Sequence, residues 1–183
     1  KELNIPIQYE EETKDAKEKR EHSEVLKSII NKANNSFQQN FKRLPDDHWA
    51  KKYMLETRAF TPEILKLFDI GFAYNDSRLS PIIKNEGLLT ESLEIGLIKQ
   101  DEQNETRHYD FFRDRVVFPI YDHRTDCVGF SARINPENSD SKKQKYLNSS
   151  DSQIFHKRKT LYGYNLAKKS FKFFGYAILV EGT

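Results

Sequence analysis

Chemistry in this sequence can be built around one guanidinium. Val128, Phe130, Ala132 and Ile134 alternate with Cys127, Gly129, Ser131 and Arg133. A strand here puts three small side chains and Arg133 on one face and apolar side chains on the other. Two readings fit that face. A ligand backbone can lie against the small residues while Arg133 grips a phosphate through two parallel hydrogen bonds; or a helix packs there and Arg133 sits in solvent. Arg113 and Arg115 lie two apart in strand-like sequence. They project together, either as a phosphate clamp or as a solvated edge. Lys142, Lys143 and Lys145 precede Tyr146 and Asn148, and Lys157-Arg158-Lys159 adds a third basic cluster. Cations beside a ring suit single-stranded nucleic acid, whose phosphates are held by charge and whose bases stack. Glu181 follows the apolar run 176–180 and precedes Gly182. A carboxylate beyond a strand's C-terminal end can hold Mg2+ or move a proton, or simply face solvent. His156 has no second ligand at a metal-binding spacing and reads as structural or exposed.

These groups need a frame. Val25, Ile29, Ala33, Phe37, Phe41 and Leu44 recur at helical spacing, which predicts an amphipathic helix from near Ser23 to just before Pro45. Residues 10–24 are polar and mixed in charge, a linker or an exposed helix start. Asp46 or Asp47 could cap a helix carrying Trp49, Tyr53 and Met54. Thr61-Pro62-Glu63 opens another, with an N-cap hydroxyl, Pro at the first position and an acid at the positive dipole end. Ser80-Pro81 repeats that signal, Thr90-Glu91 opens a short helix, and residues 99–107 read as an exposed loop. The period then changes. Residues 116–121 and 128–134 alternate across a polar turn at 122–126, which predicts a β-hairpin with one buried face. Pro119 asks for an edge position or a bulge. Residues 161–174 read as a helix before Gly175, and 176–180 as a short buried strand. Helices, then strands, then a helix and a strand give an α+β fold.

Composition bounds the rest. The 183 residues are 37% hydrophobic and 32% charged, with a net charge of +2. The 13 Phe, 9 Tyr and 1 Trp supply core area that the few aliphatic residues do not, so a packed domain is expected rather than disorder. Residues 113–183 carry 13 Lys and Arg against 7 Asp and Glu, a net +6, and residues 1–112 carry 17 against 21, a net −4. A basic second half is a modest pointer to a phosphate-binding face. The lone cysteine, Cys127, excludes an internal disulfide and a zinc ribbon. No apolar run nears the ~20 residues of a membrane span. The opening Lys1-Glu2-Leu3-Asn4 lacks an apolar signal core, so a cytoplasmic protein is the expectation.

Several segments resemble bacterial-type DNA primases. Phe112-Arg113-Asp114-Arg115-Val116-Val117-Phe118-Pro119-Ile120 is similar to one family stretch, and Val128-Gly129-Phe130-Ser131-Ala132-Arg133 to a second. Lys145-Tyr146-Leu147-Asn148-Ser149, Ile154-Phe155-His156-Lys157 and Leu161-Tyr162-Gly163 follow in the family's order and spacing. Residues 53–60 and Ile70-Gly71-Phe72-Ala73 resemble an upstream signature, with Ala59 where the family has Gly. Val180-Glu181-Gly182 resembles the opening of the toprim fold. The match runs over residues 45–183, which makes it far more specific than any one motif.

The resemblance implies a DNA-dependent RNA polymerase making primers on single-stranded DNA from ribonucleoside triphosphates. Residues 45–175 would be the N-terminal subdomain of its catalytic core. Residues 1–44 would be an arm with the amphipathic helix, and 176–183 the first strand of a truncated toprim domain. It also implies that Arg58, Arg113, Arg115, Arg133, Lys145, Asn148 and Lys157 bind template or nucleotide. Glu181 would be the catalytic carboxylate and a ligand for Mg2+ or Mn2+ in the full-length protein. Zinc would belong only to an upstream domain, and the replicative helicase would be met through regions absent here. This stretch alone is expected to be inactive. The alternative is a non-catalytic single-strand-binding module of a mobile-element or phage replication protein. Another toprim enzyme would share Glu181-Gly182 but not the series from Lys145 to Tyr162.

Overall fold

The computed structural model describes residues 13–137 and 144–181. Lys142, Lys143 and Gly182 lie outside them. The first helix, α1, spans Lys14–Arg43 and buries Leu26, Ile29, Ile30, Ala33, Phe37 and Phe41. It begins at Lys14 rather than near Ser23 because the mixed-charge stretch suits a helix. Lys14–Glu18 and Lys17–Glu21 pair at i,i+4, each at 3.9 Å, and the Thr13 hydroxyl accepts from the Ala16 amide. Leu26 takes the core position expected of Val25, which is 38% exposed. Leu44 is extended, as a residue before proline must be.

Short helices follow. Helix α2 spans Trp49–Lys52. Its cap is His48, whose Nδ1 accepts from the Ala50 amide; Asp46 pairs with Lys51 instead, and Asp47 is not the cap. Burial lowers the pKa of His48, which keeps that nitrogen free to accept. The chain then widens into a π-turn at Tyr53–Thr57. Helix α3, Pro62–Leu67, starts where its sequence says, with Thr61 Oγ1 accepting from the Ile64 amide. Helix α4, Leu79–Asn85, has no local cap. The buried Asp110 carboxylate receives the Leu79 and Ser80 amides at 2.9 and 2.8 Å. Helix α5 spans Leu89–Glu94.

Among the described residues six strands form two sheets. Strands β1 (Gly71–Ala73), β4 (Arg115–Tyr121), β5 (Cys127–Ile134) and β6 (Tyr146–Asn148) are antiparallel in the order β1-β4-β5-β6. Strands β2 (Ile98–Gln100) and β3 (His108–Asp110) pair with each other, so of the expected 99–107 loop Lys99 and Gln100 are strand and 101–107 is loop. The fold is α+β, as its periodicity predicts. The hairpin differs in having both faces buried, because layers cover both sides. On one side α1 packs Phe37 edge-on against Phe130, ring centres 5.3 Å apart. On the other, Met54 and Phe72 pack against Val116 and Phe118. Pro119 lies past the end of β1, which pairs only with residues 115–117 of β4, so its missing N–H costs no ladder bond.

Gly71 lets β1 touch α1. A Cβ there would lie 2.6 Å from Phe37 Cβ and 2.9 Å from its carbonyl carbon. Helix α6 spans Tyr164–Phe174 between Gly163 and Gly175, both with positive φ. Residues 176–180 are not the expected buried strand. They pair with no strand among the described residues, and Ile178, Leu179 and Val180 are 76–81% exposed. An apolar run becomes a buried strand only when it joins a sheet edge and is covered by other elements, and among the described residues neither happens to 176–180. No helix among the described residues is long and apolar enough to cross a membrane.

Candidate nucleic-acid interface

Arg133 is 8% exposed, near the end of β5, opposite Val116 of β4 and Tyr146 of β6. Its guanidinium lies 4.9 Å from the Tyr146 ring centre and 5.7 Å from that of Tyr53. Nε and Nη1 are fully buried and have no hydrogen-bond partner. A buried cation without an acceptor costs free energy that two ring faces offset only in part. The group is poised for an anion.

The π-turn sets the neighbouring cation. Its extra residue per turn brings the Arg58 amide onto the Tyr53 carbonyl at 2.8 Å. Tyr53 and Arg58 then line one cavity of about 460 Å³ with Phe60, Phe68, Tyr146 and Tyr162. Arg58 is exposed and lies 5.8 Å from the Phe60 ring centre. Ala59 holds φ 51°, the left-handed turn that aims Phe60 back at the cavity. Burial pushes the Tyr162 phenol up to about 12, so it stays neutral. The π-turn is invisible to periodicity, and such turns are frequent at functional sites.

Asn148 pairs with Ser131, two residues along from the Tyr146–Arg133 pair, so it shares the Arg133 face. Lys145 is exposed just before β6. Lys157 is exposed at the start of a 3-10 turn, its amide held by Asp151. That turn follows Phe155, which lies over Gly129.

Three expectations about placement change. The small-residue face is not open: a Cβ on Gly129 would meet Ser149 at 3.1 Å and Phe155 at 3.4 Å. A register shift at Ile120 and Tyr121 puts Cys127 into the α1-side cluster with Phe130 and Ala132, where burial pushes its thiol up to about 12. Arg113 and Arg115 do not project together, because Asp114 between them has φ 49° and breaks the strand. Arg113 stacks on Tyr109 of β3 at 4.6 Å. Arg115 is buried, and its Nη1 donates to the carbonyls of Ala132, Gln144 and Lys145 at 3.4, 2.9 and 3.5 Å. It braces the loop leading into β6. Burial lowers its pKa from the ordinary arginine value. Glu181 is an exposed carboxylate. Among the described residues no group of three or more His, Cys, Asp or Glu could hold a metal, and one carboxylate does not build a site.

Comparison with known proteins decides the family. A model of the DNA primase catalytic core, N-terminal domain, matches residues 16–168. The chain belongs to that family. It is 38% identical over 132 residues to the DNA primase of Clostridium acetobutylicum, covering 71% of this chain and 21% of that one. It is 34% identical over 156 residues to that of Campylobacter jejuni, covering 84% and 24%. The chain thus spans under a quarter of the length of these relatives. Among solved structures, a primase catalytic domain bound to single-stranded DNA superposes with a TM-score of 0.69 at 31% identity, over 82% of this chain and 47% of that one. The zinc-binding and RNA polymerase domains of the Aquifex aeolicus primase give 0.77 at 28%, over 88% and 38%.

Proposed function

We propose that this chain is the part of a DNA primase that holds single-stranded template, and the triphosphate entering beside it, for RNA primer synthesis in the cytoplasm. The observation that carries the reading is the Arg133 guanidinium, buried between two rings with two donor nitrogens unpaired. Phosphoryl transfer depends mostly on positioning and charge neutralisation. Arg133 and Arg58 would grip phosphate, with Lys145, Asn148 and Lys157 along the same strand. Arg115 would act through the loop it braces, and Arg113 lies apart. Residues 176–183 would enter the toprim fold, with Glu181 giving one oxygen to Mg2+ or Mn2+ in the longer protein. The replicative helicase would bind elsewhere in that protein. The family match over 16–168 favours this reading over a stand-alone binding module.

Fluorescence anisotropy with a labelled oligonucleotide tests it. Four cationic side chains that neutralise phosphates and so release their counterions give a log–log salt slope of about −3. A flat titration refutes the groove. The chain alone should make no primer; Mg2+-dependent RNA synthesis by it would refute the division of labour.

A further inference from the structure

We propose that the aromatic cavity beside Arg133 binds one unstacked nucleobase of the held strand. This rests on the reading above and deepens it from phosphate contact to base contact. The cavity's volume, about 460 Å³, lies within the ~300–1,000 Å³ usual for small ligands. Six rings from separate places line it, Tyr53 on the π-turn, Phe60 after it, Phe68 after α3, Phe118 on β4, Tyr146 on β6 and Tyr162 before α6, together with Ile64, Ile70 and Val180. Phe68 and Tyr162 are near parallel, 14° apart with centres 6.1 Å apart. Tyr53 and Tyr146 also flank Arg133, which is 8% exposed and lacks acceptors at Nε and Nη1. Arg58 stands exposed on the same wall.

The occupant must therefore meet two demands. It needs a flat apolar face for the rings and negative charge for the two guanidinium groups. An aliphatic side chain meets only the first, and a free phosphate only the second. A nucleotide unit meets both: its base enters the cavity and its phosphate lies toward Arg58 and Arg133. Every base has a π-face, so the site is tolerant of sequence.

The test compares a short oligothymidylate with a strand of the same length whose sugars carry no bases. Each is titrated by anisotropy against the chain and its Tyr162→Leu and Tyr162→Phe variants, with salt series throughout. The chain should prefer the base-bearing strand by about 5- to 100-fold. Tyr162→Leu should cut that preference at least about fivefold and leave the salt slope unchanged, while Tyr162→Phe keeps both. Phe60→Leu serves in the same role if Tyr162→Leu fails to give a cooperative melt. Equal binding of both strands with a steep salt slope, or an unchanged preference in the leucine variants, overturns the pocket alone; a protein segment then covers it. A flat salt response with both strands overturns the phosphate reading itself.

Discussion

Replacing Arg133 by Met should make the protein more stable and a poorer binder of single strands. The wild-type side chain buries two unpaired donor nitrogens, each costing about 1–3 kcal/mol. Two rings at 4.9 and 5.7 Å return about 0.5–2 kcal/mol each. Methionine fills comparable space and keeps contact with the rings without the donors. The balance favours the variant by about 1–2 kcal/mol. At roughly 2–4 °C per kcal/mol for a chain of this size, its melting temperature should rise by about 2–8 °C. Binding should move the other way. Loss of a charge-assisted contact of about 1.5–3 kcal/mol weakens affinity roughly 10- to 150-fold and flattens the salt slope by about 0.7. Calorimetric melting and anisotropy across salt read both quantities. A variant that melts lower than wild type while binding single strands equally well would show that Arg133 is a strut, and the reasoning would fail.

Three further outcomes are expected. Ala59→Gly should stabilise by about 0.5–1 kcal/mol, since left-handed backbone costs alanine ~1–2 kcal/mol and glycine's extra freedom removes part of the gain; denaturant melts check it. Gly71→Ala should cost about 1–3 kcal/mol, because its Cβ meets the α1 backbone at Phe37 and neither element can yield cheaply; a midpoint equal to wild type in urea would refute the close crossing. Asp110→Asn should cost about 1–3 kcal/mol by leaving one α4 amide without its full acceptor. Burial raises the pKa of Asp110 above its ordinary 3.8, so the folded state holds its proton to higher pH than the unfolded chain. The wild type's advantage over Asp110→Asn should be greatest below that value and shrink as pH rises through the folded pKa, which melts from acid to neutral pH would show.

Features fixed by neighbours in the chain were legible in the sequence. Helix α3 starts at Pro62 because its cap is Thr61, one residue away. The hairpin was legible because strand alternation is local. Helix α4 is legible as an element but its cap is not: it starts at Leu79 rather than behind a Ser80 cap, and the carboxylate that receives its first amides comes from Asp110, about thirty residues on. Strands β1 and β6, at three residues each, are too short to show a period. Two arginines of one hairpin have opposite fates, which composition cannot reveal. Pairing register sets Arg133 against Val116, facing Tyr53, and Arg115 against Ile134, where loop carbonyls consume it. The candidate cations Arg133, Lys145 and Lys157 are legible from strand alternation and charge clusters, whereas Arg58 and Asn148 come only from the resemblance. The cavity is not legible in the sequence, because its rings come from separate segments and meet only when the sheet and helices close.

The uncovered run 176–180 has a practical corollary. Phe173, Phe174 and Tyr176 stand beside it, 59–82% exposed, and its backbone offers open donors and acceptors. Two molecules meeting there can zip edge to edge, opposed by the like charges of Glu181 and of the lysines of α6. Self-association of the isolated chain should therefore grow with its concentration, and a charge placed within 176–180 should suppress it.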